Sequence, residues 1–323
     1  MRRAWSVYAV FAAAILAAAG AALAQTWPAR TVTAVIPFTA GNANDIVGRI
    51  VLEQVSKQLG QPIIIENRPG AGGTTGVAAV AKSTPDGYTI LVHSSSFSAA
   101  HVIYKSLPYD TLADFTAVAA IGVQPTVLVT APSKGFKTAQ DLIKAAKANP
   151  GAMNYASAGI GAASHLAAER FRIAAGITGQ HVPFRGPTEA LTEVMAGRID
   201  FYFLPIAPAL PLIQDGKLIA LAVSTSKRAA ALPSVPTTAE IGLKDAAYHF
   251  WTGLFVPVKT PGDIVAKLHD ETQRAIQIPS VQERLTKLGV ETLTMSPAEF
   301  DRYFKDDVAS TVKLAEAAGL QKQ

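Results

Sequence analysis

Pro37-Phe38-Thr39-Ala40-Gly41-Asn42-Ala43-Asn44-Asp45 follows a short apolar run, Thr31 to Ile36, that has the composition of a buried strand. It precedes Ile46, Ile50, Val51, Val55 and Leu59, which recur at helical spacing. The stretch therefore predicts a strand, a turn of small residues and a helix start, with the helix stopping at Gly60. The first turn of a helix carries unpaired backbone N–H groups and partial positive charge, which suit an anion such as a carboxylate. A single junction of this kind more often binds nothing, so its meaning depends on what the rest of the chain repeats.

It repeats several times. Ile63-Ile64-Ile65 leads into Glu66-Asn67-Arg68-Pro69-Gly70-Ala71-Gly72-Gly73-Thr74-Thr75-Gly76 and a small-residue helix. No Gly-Lys-Ser/Thr closes that loop, which excludes a phosphate loop, yet Gly72 and Thr74 still offer donors to a carboxylate. Tyr88 to Val92 reads as a third strand and empties into His93-Ser94-Ser95-Ser96-Phe97-Ser98, where ligands of open α/β sheets gather. Met153 to Ser157, the turn Ala158 to Ser164 and a helix from His165 to Ala175 restate the opening theme. A nucleophile elbow would need glycine at Tyr155, and a dinucleotide loop would need glycine at Ser164, so neither motif is met. A further strand ends at Phe184-Arg185-Gly186-Pro187, where the guanidinium has the geometry to pair bidentately with a carboxylate. Ile199, Phe201 and Phe203 alternate on another, which runs out at Leu204-Pro205.

Two extended segments organise these units. Gln124-Pro125 interrupts an apolar run that resumes at Thr126, and Phe250 to Pro257 reads as a return crossing. The expectation is a second lobe, 124–246, inserted between the two parts of a first lobe, 25–123 and 247–323, with a hinge at the crossings. After the return only helices are expected, starting near Thr260, Ser280 and Ser296.

Of 323 residues 49% are hydrophobic and 16% charged, which argues for a folded chain. Arg2-Arg3, the apolar run Val7 to Leu23 and Ala22-Leu23-Ala24 form a secretory signal peptide (1–24), with the mature chain predicted to start near Gln25. Its removal takes two of the 29 basic residues and leaves 27 against 24 acidic, a net charge of +3, too diffuse for nucleic acid. There is no cysteine, which excludes a lipid anchor, disulfides and thiolate metal sites. The six histidines, His93, His101, His165, His181, His249 and His269, show no helical pairing for a metal. No catalytic group, metal or cofactor is expected. Ser157 with His165 is the one pairing a hydrolase would use, and it lacks an orienting acid.

In order along the chain, PFTAGNAND (37–45), ENRPGAGGTTG (66–76), STPDGYT (83–89), YASAGIGAASHL (155–166), FRG (184–186), AGRIDFYF (196–203) and LPSVPTTAE (232–240) resemble the Bug family of periplasmic solute-binding proteins. These are the binding components of tripartite tricarboxylate transporters. The resemblance implies an α/β, two-lobe periplasmic-binding-protein fold of type II, a Venus flytrap with a central sheet in each lobe. It implies capture of a small carboxylated metabolite in the interlobe cleft and its delivery to membrane permease subunits by a periplasmic, monomeric protein of a Gram-negative bacterium. A ligand sensor acting on a signalling receptor is the alternative. The ligand-binding residues expected are Phe38, Thr39, Gly41, Asn42, Asn44, Asp45, Gly72, Thr74, Ser94, Ser157, Gly159, Gly161, Ala162, Ser164, Arg185 and Pro205. Where the family's first turn usually has a second glycine this chain has Asn42, whose side chain is expected to reach into the pocket.

Overall fold

A computed structural model describes residues 27–320, so the predicted signal peptide and its cleavage point lie outside the described residues. In chain order the elements are β1 (Val32–Ile36), α1 (Ala43–Leu59), β2 (Ile63–Asn67), α2 (Thr74–Ala81), β3 (Thr89–Ser94), α3 (Ser96–Ile103) and β4 (Phe115–Thr130). Then come α4 (Ala139–Ala148), β5 (Asn154–Ser157), α5 (Ala163–Ala175), β6 (Gln180–Pro183), α6 (Pro187–Met195), β7 (Phe201–Pro205), α7 (Ile206–Gln214) and β8 (Ile219–Val223). The chain closes with β9 (His249–Pro257), α8 (Gly262–Gln277), α9 (Pro279–Lys287), β10 (Glu291–Thr292) and α10 (Pro297–Ala317).

The strands run in the order β2-β1-β3-β9-β4-β7-β5-β6, with β8 and β10 also on β4. The strands that feed helices are parallel within each half: β1 with β2 and β3, and β5 with β6 and β7. The inner strands β1, β3 and β7 are the most apolar and buried of these, as expected where packing covers both faces. Two antiparallel pairings, β3 with β9 and β9 with β4, leave β3 pointing the same way as β4. By contrast β7 pairs antiparallel with β4 and so points back along it. Because β4 threads both halves, the carboxyl ends of the two parallel sets face each other across the molecule. That direction rule is what creates the site.

The break expected at Gln124-Pro125 is absent: β4 is one strand of 16 residues. Residues up to Pro125 lie opposite β9, and from Thr126 the partners are β7 and β8. Proline lacks an N–H for a ladder, and it is tolerated at this change of partner. The core divides accordingly. Val32, Ile36, Val47, Val51 and Ile90 pack with Leu254 and Leu268 in the first half. Val127, Val129, Tyr202, Leu204 and Val223 pack with Val194 and Leu210 in the second. Helix α10 crosses from one to the other: Phe300 and Phe304 meet Trp251, and Phe304 meets Phe255, edge to face, whereas Leu314 joins Phe171 and Leu166 of α5. The starts of α4 and α10 carry full capping boxes at Thr138 and Ser296, while α9 begins at Pro279 and uses no side chain of Ser280 as a cap.

Candidate functional site

Five helices begin around one cavity between the two halves. Its walls include Ala43 and Asn44 of α1, Ser96 of α3, Ala163 and Ser164 of α5, Pro187 of α6, and Pro205 and Pro208 at the start of α7. Each contributes the positive end of its dipole, and no charged side chain lines the cavity. Phe38, Ala158, Tyr202 and Phe250 complete the wall. The cavity is small, about 40 Å³. At roughly 10–15 Å³ for each water it holds only a few, the room of one compact polar head group.

The first turn is braced from behind. Asn42 caps α1: its Oδ1 accepts from the backbone N–H groups of Asn44 (2.8 Å) and Asp45 (3.3 Å), and its Nδ2 donates to the Thr39 carbonyl. Both polar atoms of the Asn42 amide are therefore engaged within the turn. The residue lines the cavity, as expected, but offers it no free donor, and its φ of −75° is ordinary, the left-handed position being Gly41 at φ +78°. Asp45 is also turned inward. Its carboxylate takes the Gly41 N–H at 2.9 Å, the Asn67 amide at 3.1 Å and the Arg49 guanidinium at 2.9 Å. Burial pushes this carboxyl up, but Arg49, Gly41 and Asn67 outweigh it and hold the group below the ordinary aspartate range. Asn44 faces the cavity, donates to Ser94 Oγ at 3.2 Å and accepts from Thr252 at 3.4 Å.

The opposing turn has a similar layered build. Ser164 lines the cavity and accepts the Ala158 N–H at 3.0 Å, and Ser96 reaches across to take the Ala163 N–H at 2.9 Å. Ser157 lies one layer back, fully buried, donating to the Gly159 carbonyl at 3.0 Å and accepting the Gly159 N–H at 3.1 Å. Its imidazole neighbour is His181, with Nε2 at 2.6 Å, and not His165. His165 stacks on His181 at 3.9 Å between ring centroids and accepts the Gly161 N–H on Nδ1 at 3.2 Å. Burial holds both rings neutral, with pKa values of about 4 for His165 and about 3 for His181. A buried serine that locks a turn, beside a histidine that stacks on another, serves architecture. Among the described residues no cluster of three His, Cys, Asp or Glu exists for a metal.

Of the residues singled out from the sequence, the cavity brings together Phe38, Asn42, Asn44, Ser94, Ala162, Ser164 and Pro205. Thr39, Gly72, Gly159 and Arg185 line a second cavity of about 650 Å³ that meets the first at Ala158. Gly41, Asp45, Thr74, Ser157 and Gly161 line neither. Thr74 spends its hydroxyl on the Ala71 carbonyl at 3.0 Å.

Tyr202 is a wall residue absent from the expected ligand-binding set, although it lies within AGRIDFYF (196–203). It is fully buried, lines the cavity, and its hydroxyl has no hydrogen-bond partner among the described residues. Burial pushes the phenol pKa up, so it stands as a neutral donor; the nearby Ser164 offsets the shift a little without meeting hydrogen-bond geometry. An unpaired buried hydroxyl costs about 1–3 kcal/mol, and a ligand oxygen in the cavity would relieve it. Phe250, at the start of β9, is a wall of the cavity as well as part of the return crossing. Ser96 lies within the serine run after β3, which is the one sequence signal for it.

A family model described as tripartite tricarboxylate transporter family receptor matches residues 47–320. The chain is 36% identical over 313 residues to a UPF0065 protein of Bordetella pertussis (strain Tohama I), covering 96% of each. The solved structure of the periplasmic binding protein BugD superposes with a TM-score of 0.88 at 32% identity, covering 92% of this chain and all of BugD. That of R. palustris Rpa4515 with adipate superposes with a TM-score of 0.89 at 30% identity, covering 92% of this chain and all of that protein. The two-lobe α/β architecture and the likeness to binding proteins, not enzymes, agree with a cavity that holds donors and no reacting groups.

Proposed function

The chain belongs to the tripartite tricarboxylate transporter receptor family, and from this premise we propose that it is a periplasmic solute-binding protein which captures a small carboxylate-bearing molecule between its lobes and hands it to a tripartite tricarboxylate-type permease. The observation that carries the reading is the convergence of five helix starts, with no charged side chain, on a cavity that also holds the orphan hydroxyl of Tyr202. Fixed dipoles and neutral donors stabilise an anion without titrating and without the desolvation cost of a buried cation. Adipate in Rpa4515 is a carboxylate of the expected class.

In this reading the lobes comprise residues 25–123 with 247–323, and 124–246, and they close about β4 and β9. The protein acts as a monomer after export, with its signal peptide removed near Gln25. Charge-assisted hydrogen bonds of roughly 1.5–3 kcal/mol each mean that a few suffice for micromolar affinity, about −8 kcal/mol.

Titration calorimetry of the mature protein tests this against mono- and dicarboxylates and their amides. Carboxylates should bind with heat and raise the melting temperature while the matching amides do neither. Binding of uncharged compounds alone would overturn the anion cradle. Co-purification with the permease subunits in the presence of ligand tests the delivery step.

A further inference from the structure

Not every large cavity belongs to the ligand cleft. One of about 610 Å³ lies where β4 and β9 cross between the halves, and it shares no lining residue with the head-group cavity. Its floor includes Gln124 and Pro125 of β4 and His249 of β9. One wall is the loop Thr225 to Ala230, which follows β8 in the second half. The other belongs to the first half and is made by the end of α9 and the stretch Gly289 to Thr292. Phe250 lines the head-group cavity whereas its neighbour His249 lines this one, and successive residues of a strand point to opposite faces. The two cavities therefore lie on either side of the crossing strands. Lys227 stands on the loop wall and Glu291 on the wall opposite. Both are exposed, and neither has an ion-pair partner among the described residues. Arg228, next to Lys227, is already committed to Glu240 at 3.0 Å.

Across the ligand cleft the halves are in contact, Gly186 with Thr39 and Gly72 with Ile160, so the structure is the closed form. Two bodies that turn about strands running between them open in front only by closing behind. We propose that the cavity behind β4 and β9 is the counter-cleft of this hinge: it narrows as the ligand cleft opens, and Lys227 and Glu291 then meet across it as an ion pair that holds the ligand-free protein open. The small side chains of Ala229 and Ala230 leave the loop wall room to advance, and closure on a ligand draws the pair apart. Because both partners are exposed, solvent screens the pair, and it biases the open-to-closed ratio by up to about fivefold. A bias of that size keeps the cleft accessible and lowers the apparent affinity only by the same factor.

The inference needs the halves to turn about β4 and β9 but needs no particular ligand, so it is tested on the ligand-free protein and stands or falls apart from the carboxylate reading. The chain has no cysteine, which lets a spin label be placed on each half beside the ligand cleft, at Arg68→Cys and Thr188→Cys, both exposed. Pulsed dipolar spectroscopy then gives the populations of open and closed distances. With no other change the open distance should dominate. Glu291→Lys sets two lysines against each other and should move the ratio toward closed by about fivefold at low salt, and by less as salt is raised. Adding Lys227→Glu restores the pair with its charges exchanged and should bring the original ratio back. Ala230→Trp fills the counter-cleft and should favour the closed distance at any salt. Lys227, Ala230 and Glu291 are all exposed, so each variant should melt as the wild type does. A ratio that Glu291→Lys leaves unchanged, or that the charge exchange fails to restore, would overturn the ion pair. One that Ala230→Trp leaves unchanged would overturn the counter-cleft, and a wild-type protein closed without ligand would overturn both.

Discussion

Tyr202 concentrates the chemistry of the head-group cavity in one atom. Its hydroxyl is buried without a partner, which destabilises the empty protein and favours any ligand that supplies an acceptor. Tyr202→Phe should therefore leave the melting temperature of the unliganded protein unchanged or slightly higher. It should weaken carboxylate binding by about tenfold, the loss of one good hydrogen bond; undiminished affinity would remove Tyr202 from the site. Asn42 makes the opposite prediction. Since its amide is spent on capping α1, Asn42→Ala should cost about 1 kcal/mol of stability in denaturant melts. Which carboxylate binds best should stay the same, and a changed ranking would show that the side chain reads the ligand after all.

Helix α5 illustrates how an element is aimed. Its first turn faces the cavity, and behind it His165 and His181 stack while anchoring Gly161 and Ser157. Burial lowers both imidazoles from 6.5, to about 4 and about 3, so the unfolded chain takes up protons that the folded chain refuses. Stability is then full above about pH 6.5 and is lost as pH falls toward 4, by up to about 1.4 kcal/mol per pH unit for each ring. His93, buried against Phe38 and Phe97 with its pKa near 3, adds to the same slope. Thermal melts between about pH 7 and about pH 4.5 should show a steady decline. A flat profile would mean that the rings are charged or exposed in the folded protein.

At the scale of the whole molecule, the two halves approach each other closely at glycine. A Cβ on Gly186 would stand 2.7 Å from Thr39 Oγ1, and one on Gly72 would stand 2.7 Å from the Ile160 carbonyl, each across the cleft. Gly186 adopts extended backbone that any residue accepts, so Gly186→Ala strains the closed form and spares the lobes. The expected result is an unchanged melting temperature without ligand, about tenfold weaker binding, and reduced ligand-induced compaction by small-angle X-ray scattering. Full compaction with wild-type affinity would place the closing surface elsewhere. Helix α10 adds a third link between the halves beside β4 and β9, since Arg170 of α5 donates to Ser310 at 3.0 Å and Leu314 packs among the residues of α5.

Much of this was legible in the amino-acid order because it is local. Strand, small-residue turn and helix start follow from the hydrophobic period and from Gly41, Gly60 and Gly176, each at positive φ where side chains are disfavoured. The family likeness is of the same kind. What lay beyond it depends on partners distant in sequence. The antiparallel pairing of β7 with β4, far apart in the chain, turns two sets of strand ends toward each other. That pairing brings five helix starts to one cavity, leaves Tyr202 without a partner, sets Ser157 behind the wall and places Arg185 on the wall of the neighbouring cavity. Local spacing tells which backbone groups are bare; only the packed sheet tells which of them face the same empty space.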